Sequence, residues 1–389
     1  MKIGIFIFGL SWGGATRRIL TLARGFMDSG HEVKFFVVER GGILESEADG
    51  LEIEELSSLP VRMMLRRLSK KKKTDLSAFA LAAALRRAER KGDIDILLSA
   101  ANHCHIAAVR ARLLSRTSIP LILRLSNHLS AGLKKSKKRS RRWRYVNSCR
   151  LYPRADGFIA VANSIAEDVS NATGIPLGNI DVIYNPTFTP DLVEKAAEKT
   201  GHPWLDKKGP DRPPVILGAG RLVAQKDFVT LIRAFALSLE HRDMRLVILG
   251  EGKQRGRLEA LIRELALEDK ADLPGFEPNP LSFMARADLF CLSSIYEGLP
   301  GVLIEAMATG TPVVSTDHPG GTTEVLEGGR YGLLVPAGDA DAMCRAIVQA
   351  LDKKWDRDAI KARAAEFTMD EAVPRYLASL ERIYDKSGN

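Results

Sequence analysis

Short apolar runs alternate with amphipathic segments along the whole chain. This alternation is typical of parallel α/β architecture, in which each buried strand is followed by a helix that covers the sheet. The first series of predicted strands is Ile3–Phe8, Val33–Val38, Ile94–Leu98, Leu121–Leu125, Gly157–Val161 and Asp181–Ile183. The second series is Val215–Gly218, Leu246–Leu249, Ala271–Leu273, Leu289–Leu292, Val313–Ser315 and Gly332–Val335.

A proline-rich break between His202 and Pro214 separates the two series. The pattern therefore predicts two doubly wound, Rossmann-like domains facing one another across a cleft, over residues 1–205 and 212–370. Helices fill the gaps, for example Thr230–Leu239 and Arg257–Leu267. A last helix near Val373–Tyr384, within residues 371–387, is expected to pack back on the first domain. Ligands of such sheets bind at the carboxyl ends of the strands.

The most informative segment is EGLPGVLIEAMATGTPVVSTD, which begins at Glu297 and contains Glu305 in its apolar run. Pro300 suits the first position of a helix, and Gly310 suits its end. The free amides at such a helix start attract phosphate, and here they belong to Gly301, Val302 and Leu303. Amides that bind phosphate beside two carboxylates suit a molecule with a diphosphate and vicinal hydroxyls, as in a nucleotide sugar.

Several further motifs of the second half accompany this segment. They are Gly220-Arg221-Leu222 followed by Lys226, Leu249-Gly250-Glu251-Gly252, Pro274-Gly275-Phe276, Gly310-Thr-Pro-Val-Val-Ser, and Gly320-Gly321 with Glu324. In this order and spacing, together with Glu297-x7-Glu305, they resemble the family 4 glycosyltransferases of the GT-B fold. The first half resembles the family through Gly13-Gly14 and through Asp156 and Ile183-Tyr-Asn-Pro186.

The resemblance implies transfer of a hexosyl or N-acetylhexosaminyl group from a nucleotide donor with retained anomeric configuration. UDP is the expected donor nucleotide, because it is the commonest one that the resemblance implies. The resemblance also implies that no metal or other cofactor is needed. The second domain is then expected to bind the nucleotide sugar, and the first domain, residues 1–205, is expected to bind the acceptor. A lipid-linked glycan, a polysaccharide or a lipopolysaccharide is the expected acceptor.

The same resemblance implies roles for individual residues. Arg221 and Lys226 would neutralise the diphosphate, where negative charge builds up on the leaving oxygen. Glu297 would contact the transferred sugar, and Glu305 would accept hydrogen bonds from the ribose hydroxyls. Phe276 would lie near the base, while Gly13 and Gly14 follow the first strand at the presumed cleft.

A histidine after a strand of the first domain is a further feature of the family. His128 follows Leu121–Leu125 and is the candidate for a catalytic group near the sugar, but the match depends on a shift of one residue. Asn127 and His103 are the alternatives. Transfer with retention on this fold can also proceed without a protein base, since the leaving phosphate can accept the proton of the acceptor.

Metal-binding patterns are weak in this chain. Asp93-Ile94-Asp95 precedes its strand, at the wrong end of the sheet, so structural capping is favoured over metal binding. His103-Cys104-His105 has no complementary ligand pair, and the four cysteines are scattered, which argues for a reducing compartment. The start of the chain, MKIGIFIFGL, is interpreted as a buried strand rather than a signal peptide.

The net charge of +9 is concentrated in two basic clusters of the first half. One extends from Lys134 to Arg144, and the other covers Arg62, Arg66, Arg67 and Lys70 through Lys73. Val61–Lys73 suits either a core-packed helix or a helix lying in an anionic membrane interface. We therefore expect a cytoplasmic enzyme in peripheral contact with the anionic inner face of a membrane.

Two other functions remain open at this point. A sugar-nucleotide epimerase can use a similar two-domain fold, but it would not explain the pattern of Glu297 and Glu305 with Arg221 and Lys226. A basic protein that binds nucleic acid or membrane without catalysis would explain the charge. Against nucleic acid, the basic clusters have few interleaved aromatic residues beyond Trp143 and Tyr145, and no nucleic-acid motif is recognised.

Overall fold

The computed structural model describes residues 1–10, 14–40, 48–56, 70–130, 139–188, 191–207, 209 and 212–388. It divides into two compact units. Unit 1 is Met1–Pro186 together with Met369–Asn389, and unit 2 is Thr187–Thr368. Each unit contains one parallel sheet with helices around it. The predicted α/β class with two doubly wound, Rossmann-like units is therefore confirmed.

The sheet of unit 1 has seven strands in the order β3-β2-β1-β4-β5-β6-β7. Its strands are β1 (Lys2–Gly9), β2 (Glu32–Glu39), β3 (Glu52–Glu55), β4 (Ile96–Ser99), β5 (Leu121–Leu125), β6 (Gly157–Ala160) and β7 (Ile180–Val182). The helices described in this unit are α1 (Gly14–Asp28), α2 (Lys70–Lys91), α3 (His105–Ser115), α4 (Arg139–Leu151), α5 (Asn163–Thr173) and the C-terminal α15 (Met369–Lys386).

Helix α15 packs on unit 1 through its apolar face. Ile383 fills the space beside Gly157, where an added Cβ would lie 2.3 Å from its side chain. The Tyr376 hydroxyl accepts a hydrogen bond from the buried Arg124 guanidinium at 3.0 Å. The last helix thus completes the core of the unit that contains the first strands of the chain.

The sheet of unit 2 has six strands in the order β10-β9-β8-β11-β12-β13. They are β8 (Val215–Ala219), β9 (Arg245–Leu249), β10 (Ala271–Gly275), β11 (Leu289–Leu292), β12 (Val313–Asp317) and β13 (Leu333–Pro336). The helices are α6 (Leu192–Ala197), α7 (Pro203–Asp206), α8 (Phe228–Ser238), α9 (Arg255–Glu264), α10 (Pro280–Met284), α11 (Gly301–Ala308), α12 (Thr322–Val325), α13 (Ala340–Asp352) and α14 (Arg357–Ala364).

Both sheets change their direction of winding inside the strand order. In unit 2 the chain runs outward from β8 through β9 to β10, and then returns to place β11 on the other side of β8. The corresponding point in unit 1 lies between β1 and β4. Ligands of doubly wound sheets bind where neighbouring strands diverge in this way, so the loops that follow β8 and β11 are well placed for a site.

The structure differs from the sequence-based elements in one strand. Strand β3 (Glu52–Glu55) was not predicted, because its sequence EIEE is mostly charged and lacks an apolar run. Among the described residues it pairs with β2 alone, at the edge of the sheet, where Lys34 forms ion pairs with Glu52 and Glu54. Edge position explains how so polar a segment is part of the sheet.

The division between the units also differs from the predicted range 1–205. Unit 2 begins at Thr187, and the segment with α6 and α7 packs on it. The Arg286 guanidinium donates to the carbonyl oxygens of Ala196 and Ala197, each at 3.0 Å, and Asn279 donates to Lys195 O at 2.8 Å. These polar contacts between distant parts of the chain are not encoded in the local composition from which the boundary was predicted.

Candidate active site

An ion pair joins two of the predicted functional groups. The Lys226 ammonium lies 2.7 Å from Glu297 Oε1, and the two side chains are only 14% and 13% exposed. Lys226 belongs to the loop after β8, and Glu297 belongs to the loop after β11. Because β8 and β11 are neighbours at the point where the winding changes, their loops bring the two charges together.

Further contacts fix the Glu297 carboxylate in place. The Ser294 hydroxyl donates to Oε1 at 2.7 Å. The Gln225 amide donates to Tyr296 O at 2.8 Å and lies 3.5 Å from Oε2. The Ser293 hydroxyl donates to Lys226 O at 2.8 Å, which joins the two loops independently of the ion pair. The carboxylate and the ammonium are therefore held in a preformed arrangement.

The surroundings keep Glu297 ionised. Burial alone would raise the pKa of this carboxyl, but Lys226, the Ser294 hydroxyl and His318 outweigh it and hold the pKa below the ordinary value. His318 follows β12 and is itself buried, which lowers its pKa despite the nearby Glu297. At neutral pH the site thus contains an ionised Glu297 carboxylate and a neutral His318 imidazole.

Two glycines allow the backbone to pass close to this pair. Gly220 has a φ of +151°, and a Cβ added there would lie 2.9 Å from the Lys226 side chain. Gly320 has a φ of +146°, and a Cβ would meet the carbonyl oxygen of Glu297 at 2.5 Å. Any other residue would be strained and would displace Lys226 or the Glu297 loop.

The start of α11 lies four residues after Glu297. Pro300 is the residue before the helix rather than its first residue, and its carbonyl accepts a hydrogen bond from the Leu303 amide at 3.0 Å. The expectation of three free amides is therefore corrected, since this turn already satisfies Leu303. Among the described residues, the amides of Gly301 and Val302 have no acceptor. These two amides remain available to an anion.

The other predicted residues of unit 2 occupy separate positions around the sheet ends. Arg221 follows β8 and is exposed, and its guanidinium has no ion-pair partner among the described residues. Glu305 is half-buried on α11, and Phe276, directly after β10, is 42% exposed. The structure thus places a second cation, a carboxylate and an aromatic ring at this end of the sheet.

Of the two glycines predicted for unit 1, Gly13 and Gly14, the structure describes only the second. Gly13 lies outside the described residues, while Gly14 is exposed and begins α1. His103, the alternative histidine, packs against Phe8 with 5.5 Å between ring centroids, and burial and Arg144 lower its pKa. Asn127 is exposed, and its carbonyl oxygen accepts from Asn102 at 2.8 Å.

His128 has a carboxylate partner in unit 1. Its Nδ1 lies 3.6 Å from Asp168 Oδ1, and the two side chains are 9% and 10% exposed. Its Nε2 is buried and has no hydrogen-bond partner among the described residues. A buried imidazole with one nitrogen beside a carboxylate and the other unsatisfied is uncommon in protein interiors, where polar groups are normally paired.

Ser294, His318 and Asp168 are among the residues of these sites that the sequence analysis missed. Ser294 and His318 lie next to the predicted motifs, but a serine or histidine in a loop has no periodic or motif signal of its own. Asp168 is separated from His128 by α4, β6 and the first half of α5, so that only the fold brings the two together. The position of His318 two residues before Gly320 is the one local hint that was available.

The weak metal patterns have structural roles. Asp95 Oδ2 accepts from the backbone amide of Lys2 at 2.6 Å, and Asp93 forms an ion pair with Lys34. Both nitrogens of His105 lie within hydrogen-bond distance of protein groups, Ser99 Oγ and Arg124 O. Within the described ranges, no group of three or more His, Cys, Asp or Glu residues is arranged to hold a metal ion.

Comparison with known proteins gives consistent matches for both units. A family model described as glycosyl transferases group 1 matches residues 204–367, and one described as glycosyltransferase family 4 matches residues 12–189. A Campylobacter jejuni relative, N-acetylgalactosamine-N,N'-diacetylbacillosaminyl-diphospho-undecaprenol 4-alpha-N-acetylgalactosaminyltransferase, is 30% identical over 374 residues, which cover 93% of each chain.

Two more similarities extend this result. The lipopolysaccharide core biosynthesis glycosyltransferase LpsE of Rhizobium meliloti is 32% identical over 263 residues, covering 67% of this chain and 71% of LpsE. The crystal structure of Anabaena HepE in complex with UDP has a TM-score of 0.71 at 20% identity, covering 98% of this chain and all of HepE. On the near-complete coverage of the Campylobacter relative and the two family models, the chain belongs to the family 4 glycosyltransferases, with the GT-B fold.

Proposed function

We propose that this glycosyltransferase moves a hexosyl or N-acetylhexosaminyl group from a UDP-sugar to a lipid-linked glycan, a polysaccharide or a lipopolysaccharide, with retention of configuration. The observation that carries the proposal is the Lys226–Glu297 pair, with Glu297 in a loop that leads after four residues into α11 with the open amides of Gly301 and Val302. This arrangement offers positive groups to a diphosphate and a fixed carboxylate to the hydroxyls of a sugar.

The charges support binding of a nucleoside diphosphate by unit 2. Lys226 is a point charge, while the exposed Arg221 can bind two phosphate oxygens at once. The amides at the start of α11 add uncharged donors and the positive end of the helix dipole. These groups stabilise the charge that forms on the leaving diphosphate, and no protein nucleophile or metal is needed in the proposal.

The remaining roles follow the arrangement of the side chains. We assign Glu297 to hydroxyls of the transferred sugar, Glu305 to the ribose and Phe276 to the base. His128 is assigned to a hydroxyl of the substrate. The UDP donor is supported by the likeness to HepE in complex with UDP, and the acceptor class by the printed functions of the Campylobacter and Rhizobium relatives.

The proposal is tested with a panel of nucleotide sugars, each incubated with the protein in the presence and absence of bacterial membrane extract. We expect UDP and one or a few UDP-sugars to bind, and labelled sugar to enter the lipid fraction only when extract is present. Product NMR then gives the anomeric configuration, which should match that of the donor. Binding of duplex DNA without binding of any nucleotide would contradict the proposal.

We also propose that the enzyme contacts an anionic membrane through α4. Its described arginines Arg139, Arg141, Arg142 and Arg144 are exposed, while Lys134–Lys138 and the Val61–Ser69 part of the second cluster lie outside the described residues. Within the described ranges, no helix is both long and apolar enough to cross a bilayer. Basic residues near an anionic surface contribute about 1 kcal/mol each.

Vesicle sedimentation tests this membrane contact. Replacing the four arginines by glutamine should weaken binding to vesicles with anionic lipid on the order of 100-fold or more, from about 1 kcal/mol per charge, and should not change UDP binding. The matched control removes four exposed charges from unit 2, at Arg233, Arg257, Arg263 and Lys354. Equal loss in both variants, or binding that is indifferent to anionic lipid, would contradict the assignment.

A further inference from the structure

Asp168, the carboxylate partner of His128 in unit 1, has no role in the proposed function. Asp168 lies on α5 and binds the segment that follows β5. Its Oδ2 accepts from the amides of Leu129 and Ser130 at 2.6 and 3.2 Å, and the Ser130 hydroxyl donates to Oδ1. The carboxylate therefore fixes the backbone directly after His128 as well as facing its ring.

Asp168 is ionised at neutral pH. Burial would raise the pKa of this carboxyl, but the contacts with His128 and Ser130 outweigh burial and hold the pKa below the ordinary value. Among the described residues, Tyr145 and Cys149 of α4 also interact with Asp168 and with each other, and burial raises the pKa of both. Both are neutral at that pH, so Asp168 provides the negative charge beside the imidazole.

A carboxylate accepts hydrogen bonds and cannot donate one. A proton on Nδ1 of His128 is therefore favoured, since an unprotonated Nδ1 would place its lone pair against the negative oxygen 3.6 Å away. In a neutral imidazole the other nitrogen is then an acceptor. That nitrogen, Nε2, is the buried atom for which the described residues supply no partner.

We propose that Asp168 is a positioning residue that holds His128 in the tautomer protonated at Nδ1, so that Nε2 accepts a hydrogen bond from a hydroxyl group of the sugar substrate. The identity of the ligand as a sugar rests on the proposed function. The tautomer rests on the contacts of Asp168 alone. The site thus selects a hydrogen-bond donor, and it disfavours a ligand group that offers only an acceptor.

The direct test is nitrogen NMR of the full chain labelled with ¹⁵N-histidine. The signals of His128 are assigned by their loss in His128→Gln. We expect Nδ1 to carry the proton in the wild type, and Asp168→Asn to shift the population toward the Nε2-protonated form, because the amide NH₂ can donate to Nδ1. A wild type protonated at Nε2, or an unchanged tautomer in Asp168→Asn, would overturn the proposal.

Two control variants and the wild-type spectrum separate a change of the His128 tautomer from an effect of the substitution on folding. Ser130→Ala removes one contact of Asp168 but retains the carboxylate, so it should leave the tautomer unchanged. Glu167→Gln removes the neighbouring exposed carboxylate of α5 and should also have no effect. If Asp168→Asn does not fold, the wild-type spectrum still decides the tautomer. The NMR measurement needs no substrate, so failure to bind any UDP-sugar would refute the proposed function and leave the tautomer assignment intact.

Kinetics then separate positioning from a merely structural role. Asp168→Asn should lower kcat on the order of 10- to 100-fold, the range for a hydrogen bond to a charged group, with little change in KM for the UDP-sugar. In a His128→Gln background the same substitution should have no further effect, because the histidine that it positions is absent. An equal loss in both backgrounds would show that Asp168 only supports the fold.

Discussion

In unit 2, the Lys226 ammonium and the Glu297 carboxylate neutralise each other at the carboxyl ends of β8 and β11. In unit 1, the buried Arg124 guanidinium near the end of β5 is bound by neutral groups instead. It donates to Tyr376 Oη and Ala100 O, each at 3.0 Å, and to Asn185 Oδ1. In two doubly wound sheets, one cation is thus paired with a carboxylate and the other is hydrogen-bonded to neutral acceptors.

The two cations, Arg124 and Lys226, differ in their exposure to solvent and in the groups that they bind. Arg124 has no exposed surface, and its partners join α15 and the segment after β7 to the sheet. The Arg124 guanidinium therefore stabilises the fold of unit 1. Lys226 is 14% exposed and is paired with a carboxylate, so an anionic ligand can approach it. Similar folds acquire different roles through such side chains.

The largest expected effect is that of Lys226→Ala. Removing a cation that stabilises the leaving group should lower transfer by about 100- to 1,000-fold. Steady-state kinetics with the UDP-sugar found in the panel measure the loss. Lys354→Ala, an exposed lysine between α13 and α14, is the matched control and should retain activity. Retained activity in Lys226→Ala would remove this residue from the site.

Glu297→Gln should lower kcat by about 100-fold, because a charged hydrogen-bond acceptor for the sugar is lost. Affinity for UDP should be maintained or increased, since Lys226 no longer shares its charge with Glu297. Isothermal titration with UDP checks the second part, with the exposed Glu264→Gln as the control. Weaker UDP binding in Glu297→Gln would show that the carboxylate does not compete for the ammonium.

The same substitution has a predicted pH dependence. The pKa of Glu297 is lower in the folded state than its ordinary value of 4.5. Its ionised form therefore stabilises the fold fully above that ordinary value, and the contribution is lost as pH falls through the folded-state pKa. The stability advantage of the wild type over Glu297→Gln in urea should shrink on acidification below about pH 4.5. An advantage that grows on acidification would contradict the ion pair.

A smaller effect is expected from Arg221→Ala. Loss of one exposed charge-assisted contact should weaken UDP binding by about tenfold, with a smaller effect on uridine, which lacks phosphate. Arg257→Ala removes an exposed arginine of α9 and is the matched control. Equal weakening of UDP and uridine would assign Arg221 to the nucleoside rather than to the diphosphate.

The smallest effect tests the unit 1 side of the comparison. Tyr376→Phe removes one neutral acceptor of Arg124 and should lower the free energy of unfolding by about 1 to 3 kcal/mol. UDP binding should be unchanged, because the lost contact lies inside unit 1. Urea unfolding and titration with UDP measure the two quantities. Loss of UDP affinity at unchanged stability would reverse the roles assigned to the two regions.

Most of the fold was predictable because its signal is local. Each buried strand has an apolar run, and the exception, β3, is a charged edge strand. The boundary near Pro186 was not predicted, because it depends on Arg286 and Asn279 reaching back to α6.

The site was predictable where residues form a motif with fixed spacing. Lys226 and Glu297 were both identified, but as groups for different parts of the ligand, and their mutual ion pair depends on the neighbouring positions of β8 and β11. Leu303 was expected to offer a free amide, and only the turn at Pro300 shows that it does not. Asp168 has no sequence signal, because its relation to His128 arises from tertiary structure.

A crystal structure of the protein with UDP would test the proposed diphosphate site most directly. We predict that the diphosphate lies within hydrogen-bond distance of the Lys226 ammonium, the Arg221 guanidinium and the amides of Gly301 and Val302. A diphosphate bound elsewhere, with the Lys226–Glu297 pair undisturbed and Arg221 in solvent, would contradict it.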